Sequence, residues 1–561
     1  MSEAKPRILV IGGVACGPKA ASRLKRLLPN ADVTIVEKGD IVSYGACGLP
    51  YYVEGFFSKI DMLTETPVGV ARTPAFFEKA KGVEVIVRTE ALSIDRKNKK
   101  VKFKNLDTGA VDDVEYDKLV LATGGSPFRP PIPGIDLKNV WFIRNPNDAD
   151  TLVREITAQD LKHAVLVGAG FINLEMAEAL VARGLDVTIV EMEDQIMPAV
   201  LDTDVAMFAA RHLRQKGVKI VLGERVTAIG GENRVSSVKT EKQGIPADLV
   251  VIAVGTRPND TLARQAGLTC ADHGGIVVNE YCLSSDSDIY AGGDCALSHY
   301  VDKLFGTPLY VPLGSTANKH GRIIANHIAG IPTPFNGITC TSIVKAFEFT
   351  IGRTGLTEKQ ARGLNIDVET TTWAGQDKPH FMPGAGPFII KMVAGRRDRR
   401  LLGVQAAGMG DVAKRLDVAA SAIFFGASLD QVADVDIAYA PPYGPALDPL
   451  TTCAHILTNK LDGLAAGISA LAAKKLIEEG NVLVLDVRTP AEVRMMRFPY
   501  DAVNIPLGAL RDRLNELPKD RDILAFCKVS LRGYEAQRIL NAAGFDRVQF
   551  IEGGLAAWPF E

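Results

Sequence analysis

The chain has 561 residues, of which 47% are hydrophobic and 23% are charged, with 64 Lys and Arg residues against 66 Asp and Glu residues. This length exceeds what one hydrophobic core supports, so we expect three or four globular domains. The balanced charge gives no general reason to expect nucleic acid or an anionic membrane as a partner.

Strand-forming residues begin at Arg7, and no apolar run approaches the ~20 residues of a membrane span. We therefore expect no signal peptide, no membrane contact and a cytoplasmic location. Eight cysteines are scattered along the chain without CxxC pairs or the density of a disulfide scaffold. Most should be reduced core residues, and we expect no metal site.

The first predicted elements are typical of a dinucleotide site. A strand over 7–11 leads into the turn 12–17 (Gly-Gly-Val-Ala-Cys-Gly) and an Ala-rich helix, and a second strand ends at Glu37. Glycines let the backbone approach a pyrophosphate at the helix N-terminus, while the acid can accept both ribose hydroxyls. Val14 occupies the middle glycine position of GxGxxG, so a tight strand–helix turn without a ligand stays open as the alternative.

A second copy of the pattern follows. The strand 164–167 leads to 168–173 (Gly-Ala-Gly-Phe-Ile-Asn), then a helix, then a strand that ends at Glu191. Asn173 replaces the third glycine, which is tolerable if the helix shifts slightly. Glu191 would bind a free 2′-hydroxyl and repel a 2′-phosphate, so NADH is favoured over NADPH, although NADPH stays possible.

These two nucleotide folds, joined by 122–125 (Ala-Thr-Gly-Gly) and followed by 288–294 (Asp-Ile-Tyr-Ala-Gly-Gly-Asp), resemble the two-domain flavoproteins of the pyridine nucleotide-disulfide oxidoreductase family. The resemblance covers roughly residues 5–455. It implies that the first unit binds FAD and that the second binds NADH. By position, it implies an FAD site of Gly12, Gly13, Gly17, Glu37, Lys38, Thr123, Gly124 and Asp294, and an NADH site of Gly168, Gly170 and Glu191.

Cys47 lies in the loop 43–51 (Ser-Tyr-Gly-Ala-Cys-Gly-Leu-Pro-Tyr), and the next cysteine is Cys270. Glutathione-type reductases need two cysteines a few residues apart. This chain therefore looks like a one-cysteine enzyme, whose oxidised form is a mixed disulfide with a small thiol or a sulfenate. Pro50 favours a helix start, and the helix dipole predicts a lowered pKa for the Cys47 thiol. A buried structural cysteine is the alternative.

Within the family, the stretch 43–52 resembles the coenzyme A-disulfide reductases and the NADH-dependent persulfide reductases, whose SFxxC-x-LPY motif carries the redox cysteine. Tyr44 replaces their Phe, and Ala46 stands where close relatives often have Asn. The resemblance implies coenzyme A as a substrate or bound thiol. It implies four contact residues, Ser43, Lys19, Arg23 and Arg26, and a solvated helix face is the alternative for the three basic ones.

Residues 336–455 resemble the family's interface domain, which makes the homodimer and reaches over the partner's active site. The run 438–443 (Ala-Tyr-Ala-Pro-Pro-Tyr) resembles its AYAPPY segment, which implies that Tyr439 acts as an acid near the partner's cysteine. At 380–384 (His-Phe-Met-Pro-Gly), where relatives have a second tyrosine, none is present. A packed aromatic cluster is the alternative.

An Ala- and Gly-rich segment, interpreted as a linker, precedes a new α/β module. Its strands at 483–488, 502–506 and 523–527 and its final 553–558 (Gly-Gly-Leu-Ala-Ala-Trp) resemble a rhodanese domain. Cys527 and Arg532 bracket a C(x)4R loop, whose backbone amides form an anion cradle for a persulfide. A loop with one more residue between the cysteine and the arginine would instead suit a phosphate. Phe498 stands where many rhodaneses have His, and Ser530 where relatives have Gly.

The sequence thus predicts an α/β protein with two Rossmann-like dinucleotide-binding domains, an α+β dimerisation domain and a C-terminal α/β rhodanese domain. The expected ranges are 1–148 and 276–335 for the FAD-binding domain, 149–275 for the NAD(H)-binding domain, 336–455 for the dimerisation domain, 456–470 for the linker and 471–561 for the rhodanese domain.

The expected function is NAD(P)H-dependent, FAD-dependent reduction of a persulfide or polysulfide through Cys47, with release of sulfide and with Cys527 as the sulfur carrier. The expected partners are small sulfur compounds, such as coenzyme A persulfide or disulfide, and a second copy of the chain. A coenzyme A-disulfide reductase with an accessory rhodanese would use the same residues. An NADH oxidase or peroxidase leaves Cys527 unexplained, and a slowly turning redox-sensing sulfur carrier is the non-enzymatic alternative.

Overall fold

The computed structural model describes residues 5–302 and 306–560. The chain forms two compact units, Met1–Val190 with Arg225–Ile338 and Glu191–Glu224 with Thr339–Glu561. The outermost residues of the predicted first and last domains, 1–4 and 561, lie outside the described residues.

Parallel strands with almost continuous burial form the framework of the first unit, as expected for sheets covered on both faces. Its helices bury one face each; α1, for example, buries Ala20, Ala21 and Leu24. The elements up to residue 158 are β1 (Arg7–Ile11), α1 (Cys16–Leu27), β2 (Asp32–Val36), α2 (Leu49–Glu54), α3 (Pro74–Phe76), β3 (Glu84–Ile86), β4 (Thr89–Asp95), β5 (Lys100–Asn105), β6 (Val111–Glu115), β7 (Lys118–Leu121), β8 (Gly125–Pro127), β9 (Val140–Trp141) and α4 (Pro146–Ala158).

The second nucleotide fold follows in the chain, and the chain then returns to the first sheet, to which it adds β18. The segment with α6 and β12 belongs to the second unit. The elements are β10 (His163–Val167), α5 (Phe171–Ala182), β11 (Asp186–Val190), α6 (Thr203–Gln215), β12 (Lys219–Val221), β13 (Val226–Gly231), β14 (Val235–Thr240), β15 (Gly244–Pro246), β16 (Leu249–Ile252), β17 (Thr256–Pro258), α7 (Thr261–Gln265), β18 (Ile289–Ala291) and α8 (Gly314–Ile328).

Two parallel sheets place the predicted sites. The first has the order β18-β7-β1-β2-β3. Its register pairs Ile11 with both Val36 and Leu121, so the residues that follow β1, β2 and β7 meet at one carboxyl edge. In the second sheet β10 lies between β11 and β16. Ligands of open parallel sheets bind at such carboxyl edges.

An antiparallel sheet and four helices form the predicted dimerisation module in the second unit. The strand order is β19-β20-β23-β22-β21. The elements are β19 (Ser342–Ala346), β20 (Phe349–Gly355), α9 (Glu358–Gly363), β21 (Val368–Gln376), β22 (Pro387–Gly395), β23 (Leu401–Gly408), α10 (Val412–Phe424), α11 (Leu429–Asp434) and α12 (Pro449–Leu461).

The last module is a parallel sheet with the order β24-β28-β27-β25-β26. Its elements are β24 (Gly467–Ile468), α13 (Ala470–Glu478), β25 (Val482–Asp486), α14 (Pro490–Met495), β26 (Val503–Asn504), α15 (Leu507–Leu510), β27 (Asp522–Phe526), α16 (Leu531–Ala542) and β28 (Val548–Ile551).

The linker predicted over 456–470 is shorter in the structure. Helix α12 continues to Leu461, and β24 pairs with β28 as an edge strand of the last sheet. The glycine and alanine content misled the prediction because Gly467 serves packing: a Cβ there would lie 2.6 Å from Glu552 Oε1. The connection between the two modules is therefore confined to a few residues after α12.

Candidate active site

The first glycine-rich turn lies at the carboxyl edge of the first sheet. Gly12 has φ +112°, and a Cβ there would lie 2.0 Å from the Ala122 carbonyl oxygen. A Cβ on Gly17 would lie 2.0 Å from the Gly12 carbonyl oxygen. Neither position accepts a side chain, so α1 begins close to the strands and its unbonded N–H groups face the edge. This arrangement fits the pyrophosphate of a dinucleotide.

The carboxylate of Glu37 is fixed beside this turn. The Gly13 N–H donates to Glu37 Oε2 at 2.6 Å, and the Gly39 N–H donates to Oε1 at 2.7 Å. Each oxygen keeps a lone pair for a ribose hydroxyl. Lys38, predicted for the same site, points elsewhere: its Nζ lies 2.7 Å from Glu90 Oε1.

Asp294 supplies a carboxylate without a hydrogen-bond donor among the described residues. Burial raises its pKa, and the Arg144 guanidinium opposes that shift. The neighbouring turn is braced because Thr123 Oγ1 donates to the Asn259 carbonyl at 2.7 Å and Asn259 Nδ2 donates back at 2.8 Å, with Gly124 at φ +70°. A half-buried carboxylate with unmet acceptors at this edge fits the hydroxyl-rich ribityl chain of FAD.

Cys47 lies in a 3₁₀ turn, Ala46–Gly48, that runs directly into α2. Pro50 stands in the first turn of α2, as predicted. Ser43 has φ +52°, and its N–H donates to the Gly13 carbonyl at 2.8 Å, which ties the cysteine loop to the nucleotide turn. The thiol is exposed, so the alternative of a buried structural cysteine is wrong.

The predicted lowering of the Cys47 pKa is also wrong. The partial desolvation of the loop raises the pKa of the Cys47 thiol, Glu175 and Asp294 raise it further, and Arg144 opposes them. The dipole argument fails because α2 has six residues and Cys47 precedes its N-cap, Gly48. Arg144 is a functional candidate that the sequence did not reveal, since its position in the turn before α4 gives no motif.

The second nucleotide turn follows β10. Gly168 has φ +95°, and a Cβ there would lie 2.6 Å from the Ala253 carbonyl oxygen; the space beside Gly170 is open. Asn173 is fully buried, and its Nδ2 donates to the carbonyls of Val167 and Gly168 at 2.8 Å. Asn173 thus replaces the close packing of a glycine with two hydrogen bonds to the strand end. The open side of Gly170 leaves room for a pyrophosphate at the start of α5.

Glu191, predicted to select NADH, follows β11 directly and is nearly buried. The N–H of Glu193 donates to Glu191 Oε1 at 3.0 Å, which orients the carboxylate.

The basic residues predicted for coenzyme A lie on α1. Lys19 and Arg23 are half-buried and Arg26 is exposed. Arg23 Nε donates to Asn326 Oδ1 at 3.1 Å, so α8 holds this guanidinium. The arrangement is consistent with either a phosphate contact or a solvated helix face.

Tyr439 lies in the segment between α11 and α12 and is 55% exposed. Its neighbour Tyr443 is 70% exposed, and Phe381 of the tyrosine-free stretch is 66% exposed. These aromatic side chains do not pack into one core within a single chain, and the alternative of a packed aromatic cluster stays open.

The loop that follows β27 carries Cys527, whose side chain is fully buried. Within the parts of the chain that the structure describes, no backbone or side-chain group accepts from the N–H groups of Lys528, Val529 or Ser530. Together with the first turn of α16, these N–H groups are available for the anion cradle that the spacing predicts. Ser530 has φ +83°, a conformation that favours the glycine of related proteins.

A glycine turn supports this cradle. The N–H groups of Leu555 and Ala556 donate to the carbonyls of Cys527 and Lys528 at 3.1 and 2.8 Å. A Cβ on Gly554 would lie 2.4 Å from the Cys527 carbonyl oxygen. Phe498, in the position of the expected His, packs against Phe526 with ring centroids 4.4 Å apart and so belongs to the core of the module.

Among residues 5–302 and 306–560, no helix is both long and apolar enough to cross a membrane. No group of His, Cys, Asp and Glu side chains in these residues could hold a metal ion.

Two glycine-turn nucleotide folds, one exposed cysteine beside the first of them and a separate cysteine cradle define a dinucleotide-dependent oxidoreductase fused to a sulfur-handling module. The chain belongs to the pyridine nucleotide-disulphide oxidoreductases: the family model matches residues 6–321, and the model of the family's dimerisation domain matches residues 341–450. A rhodanese-like domain matches residues 469–560. The family, the fold class and the enzyme class predicted from the sequence are confirmed.

Named relatives match most or nearly all of the chain. The chain is 36% identical over 453 residues to the NAD(P)H sulfur oxidoreductase (CoA-dependent) of Pyrococcus furiosus, covering 81% of this chain and 99% of that protein. It is similar to the NAD-dependent persulfide reductase from A. fulgidus, with 41% identity, 98% and 100% coverage and a TM-score of 0.94. The reduced CoADR-RHD of Bacillus anthracis has 33% identity, 99% and 98% coverage and a TM-score of 0.92.

Proposed function

We propose that this protein is an FAD-dependent NAD(P)H persulfide or polysulfide reductase in which Cys47 is the redox cysteine and Cys527 is the sulfur carrier. One observation carries the proposal: an exposed single cysteine beside the FAD turn and a buried cysteine within an amide cradle occur in one chain. A disulfide reductase needs the first feature alone. Relatives named for sulfur and persulfide reduction, at 35–41% identity, support it.

Cys47 acts in the first step. Its thiolate attacks the inner sulfur of a persulfide, R–S–SH; the S–S bond breaks, hydrosulfide leaves, and a Cys47–S–S–R mixed disulfide forms. Because the neighbouring cysteines along the chain are the buried Cys16 and the distant Cys270, the mixed disulfide has no local resolving thiol. Two electrons and one proton then return it to the Cys47 thiolate and R–SH. The overall reaction is NADH + R–S–SH → NAD⁺ + R–SH + HS⁻.

Bound FAD would supply the electron pair to the mixed disulfide, and NADH would replenish it. The proposed FAD contacts are the Gly12, Gly13 and Gly17 turn, the Glu37 carboxylate, the Thr123 and Gly124 turn and Asp294. Gly168, Gly170 and Glu191 are proposed to bind NADH, with Glu191 on the ribose. Lys38 is the weakest member of the proposed set, because its ammonium already pairs with Glu90.

Cys527 would hold sulfane sulfur as a persulfide. Its burial shields the bound sulfur from adventitious thiols, and the unpaired N–H groups of the loop stabilise the persulfide anion. Arg532, in the first turn of α16, is proposed to support this charge.

The remaining assignments extend the proposal to the partners. We propose a homodimer through the module 341–450, with Tyr439 as the proton donor near the partner's redox cysteine. Lys19, Arg23, Arg26 and Ser43 are proposed contacts of coenzyme A. The predicted domain ranges, with the linker shortened as described above, and a cytoplasmic location, consistent with eight cysteines that are all unpaired, belong to the same proposal.

A coenzyme A-disulfide reductase with an accessory rhodanese is the second candidate, favoured by the likeness to relatives with that name. The test is anaerobic NADH oxidation with coenzyme A persulfide, polysulfide and coenzyme A disulfide side by side. The proposal expects the highest kcat/KM with a persulfide or polysulfide, with one sulfide released per NADH. A higher kcat/KM for coenzyme A disulfide would favour the second candidate.

A further inference from the structure

An ion pair holds the arginine of the persulfide loop from outside the loop. Arg532 Nη2 donates to Glu492 Oε1 at 2.6 Å, and Arg532 Nη1 donates to Glu492 Oε2 at 2.8 Å. Both side chains are 30% exposed, so the pair lies near the surface of the module and not in its core. Bidentate hydrogen bonding of this kind is the strongest form of an Arg–carboxylate ion pair.

The carboxylate in this pair is fixed and ionised. Glu492 Oε2 also accepts from the N–H and the hydroxyl of Thr489 at 3.0 and 2.9 Å, as part of the capping box of α14. Arg532 and these bonds lower the pKa of Glu492 to about 2. Glu492 is therefore negatively charged at neutral pH.

Arg532 also interacts with the sulfur site. Glu492 is the main cause of the raised pKa of Arg532, and the Cys527 thiol contributes by charge and by hydrogen bonding. One guanidinium thus serves both the carboxylate and the sulfur.

Several other charged groups of the module are paired with a partner or exposed to solvent. Arg488 is bound to Asp486 at 2.6 Å, and Glu552 to Lys460 at 2.5 Å. Lys528, Arg494 and Arg497 are exposed, so water and salt screen them.

We propose that Glu492 is a specificity-determining residue of the rhodanese site: it neutralises Arg532 and so disfavours dianionic sulfur donors relative to monoanionic ones. The inference rests on the proposed carrier role of Cys527. An incoming donor meets the attraction of Arg532 and the repulsion of Glu492 together, and the two largely cancel. Without Glu492 the site gains one net positive charge. This charge attracts a donor with two negative charges more strongly than a donor with one.

Thiosulfate and benzenethiosulfonate donate sulfur by the same reaction but differ in net charge. In both cases the Cys527 thiolate attacks the sulfane sulfur, the S–S bond of the donor breaks, and sulfite or benzenesulfinate leaves with the electron pair. The product in both cases is the Cys527 persulfide anion. Cyanide then removes the outer sulfur as thiocyanate and restores the thiolate. Thiosulfate carries two negative charges and benzenethiosulfonate carries one.

The experiment measures thiocyanate formation by the full-length FAD-loaded protein with each donor, and takes the ratio of kcat/KM for thiosulfate to that for benzenethiosulfonate. Glu492→Gln should raise this ratio at least fivefold at low ionic strength, and the gain should shrink in 0.5 M salt. Glu492→Asp, which keeps the charge, should stay within twofold of wild type. Glu516→Gln is the matched control, because it removes the carboxylate from the two-pronged Arg513–Glu516 pair of the same module.

An unchanged ratio in Glu492→Gln, or a parallel loss with both donors, would overturn the inference and leave Glu492 as a mere support for Arg532. If the wild-type protein transferred sulfur from neither donor, the carrier role of Cys527 would be overturned, and the inference with it. The same would follow if Cys527→Ser transferred sulfur as fast as wild type. The two failures are therefore distinguishable.

Discussion

Replacing Lys460 with Met should destabilise the second unit in a pH-dependent way. Lys460 Nζ lies 2.5 Å from Glu552 Oε1 and 3.0 Å from Glu369 Oε1, and the Lys460 and Glu552 side chains are 9% and 3% exposed. Thr372 N–H donates to Glu552 Oε2 at 3.0 Å, so the cluster joins β21 to the turn that supports the Cys527 loop. Met keeps the length of the stem and removes the charge that compensates Glu552.

The magnitude follows from the fate of Glu552. Leaving a buried charge without its partner costs ~3–5 kcal/mol. Alternatively, Glu552 can take up a proton. Protonating a carboxylate of ordinary pKa costs ~1.36 kcal/mol for each pH unit above ~4.3. This cost is about 4 kcal/mol at pH 7 and about 1 kcal/mol at pH 5. Burial already raises the pKa of Glu552 in the wild type, and losing Lys460 raises it further. A raised folded-state pKa means that stability falls as pH rises.

Differential scanning calorimetry of the FAD-loaded protein at pH 5 and pH 7 measures this effect. At ~2–4 °C per kcal/mol for a unit of this size, Lys460→Met should lower the Tm by about 6–16 °C at pH 7 and by much less at pH 5. Lys475→Met is the control, because its partner Glu479 lies 3.9 Å away and both side chains are at least half exposed. A Tm within 2 °C of wild type at pH 7, or an equal loss at both pH values, would refute the reasoning.

Three further predictions concern the flavin side. Cys47→Ser should retain FAD, as seen in its absorption spectrum, and should lose over 95% of the NADH-dependent reduction of every sulfur substrate. The control variant Cys270→Ser, at a half-buried cysteine, should keep the wild-type rate. Substantial activity in Cys47→Ser would disprove the one-cysteine mechanism. Arg144→Met should raise the apparent pKa for alkylation of Cys47, because Arg144 opposes the carboxylates there, and an unchanged pH profile would contradict this electrostatic account. Glu191 should make kcat/KM for NADH at least tenfold higher than for NADPH, and Glu191→Ser should narrow the gap; equal use of both coenzymes by the wild type would show the inference to be wrong.

The sequence was sufficient where a motif and its partner are close in the chain. Gly12, Gly17 and Glu37 fall within one strand–helix–strand unit, so their spacing alone predicts a shared edge, and β1 and β2 have the predicted ends. The same holds for Cys527 and Arg532, which one loop and one helical turn connect.

Contacts between distant segments could not be predicted. Glu492 and Arg532 are 40 residues apart, and Lys460 and Glu552 are 92 residues apart, with no motif linking either pair. The direction of the Cys47 pKa shift depends on Glu175 and Asp294, which only the folded chain brings near the thiol. Local reasoning about a helix dipole therefore gave the wrong sign.

The most direct test of the account compares Cys527→Ser with wild type under anaerobic conditions. NADH oxidation and sulfide release are measured with thiosulfate or polysulfide as the sulfur source and, in parallel, with a small preformed disulfide such as coenzyme A disulfide. The account predicts that the variant loses the sulfane-dependent reaction but keeps the disulfide rate within twofold, because the disulfide needs only Cys47. Wild-type rates of sulfide release from the variant, even at limiting substrate, would contradict the role of the rhodanese module in catalysis.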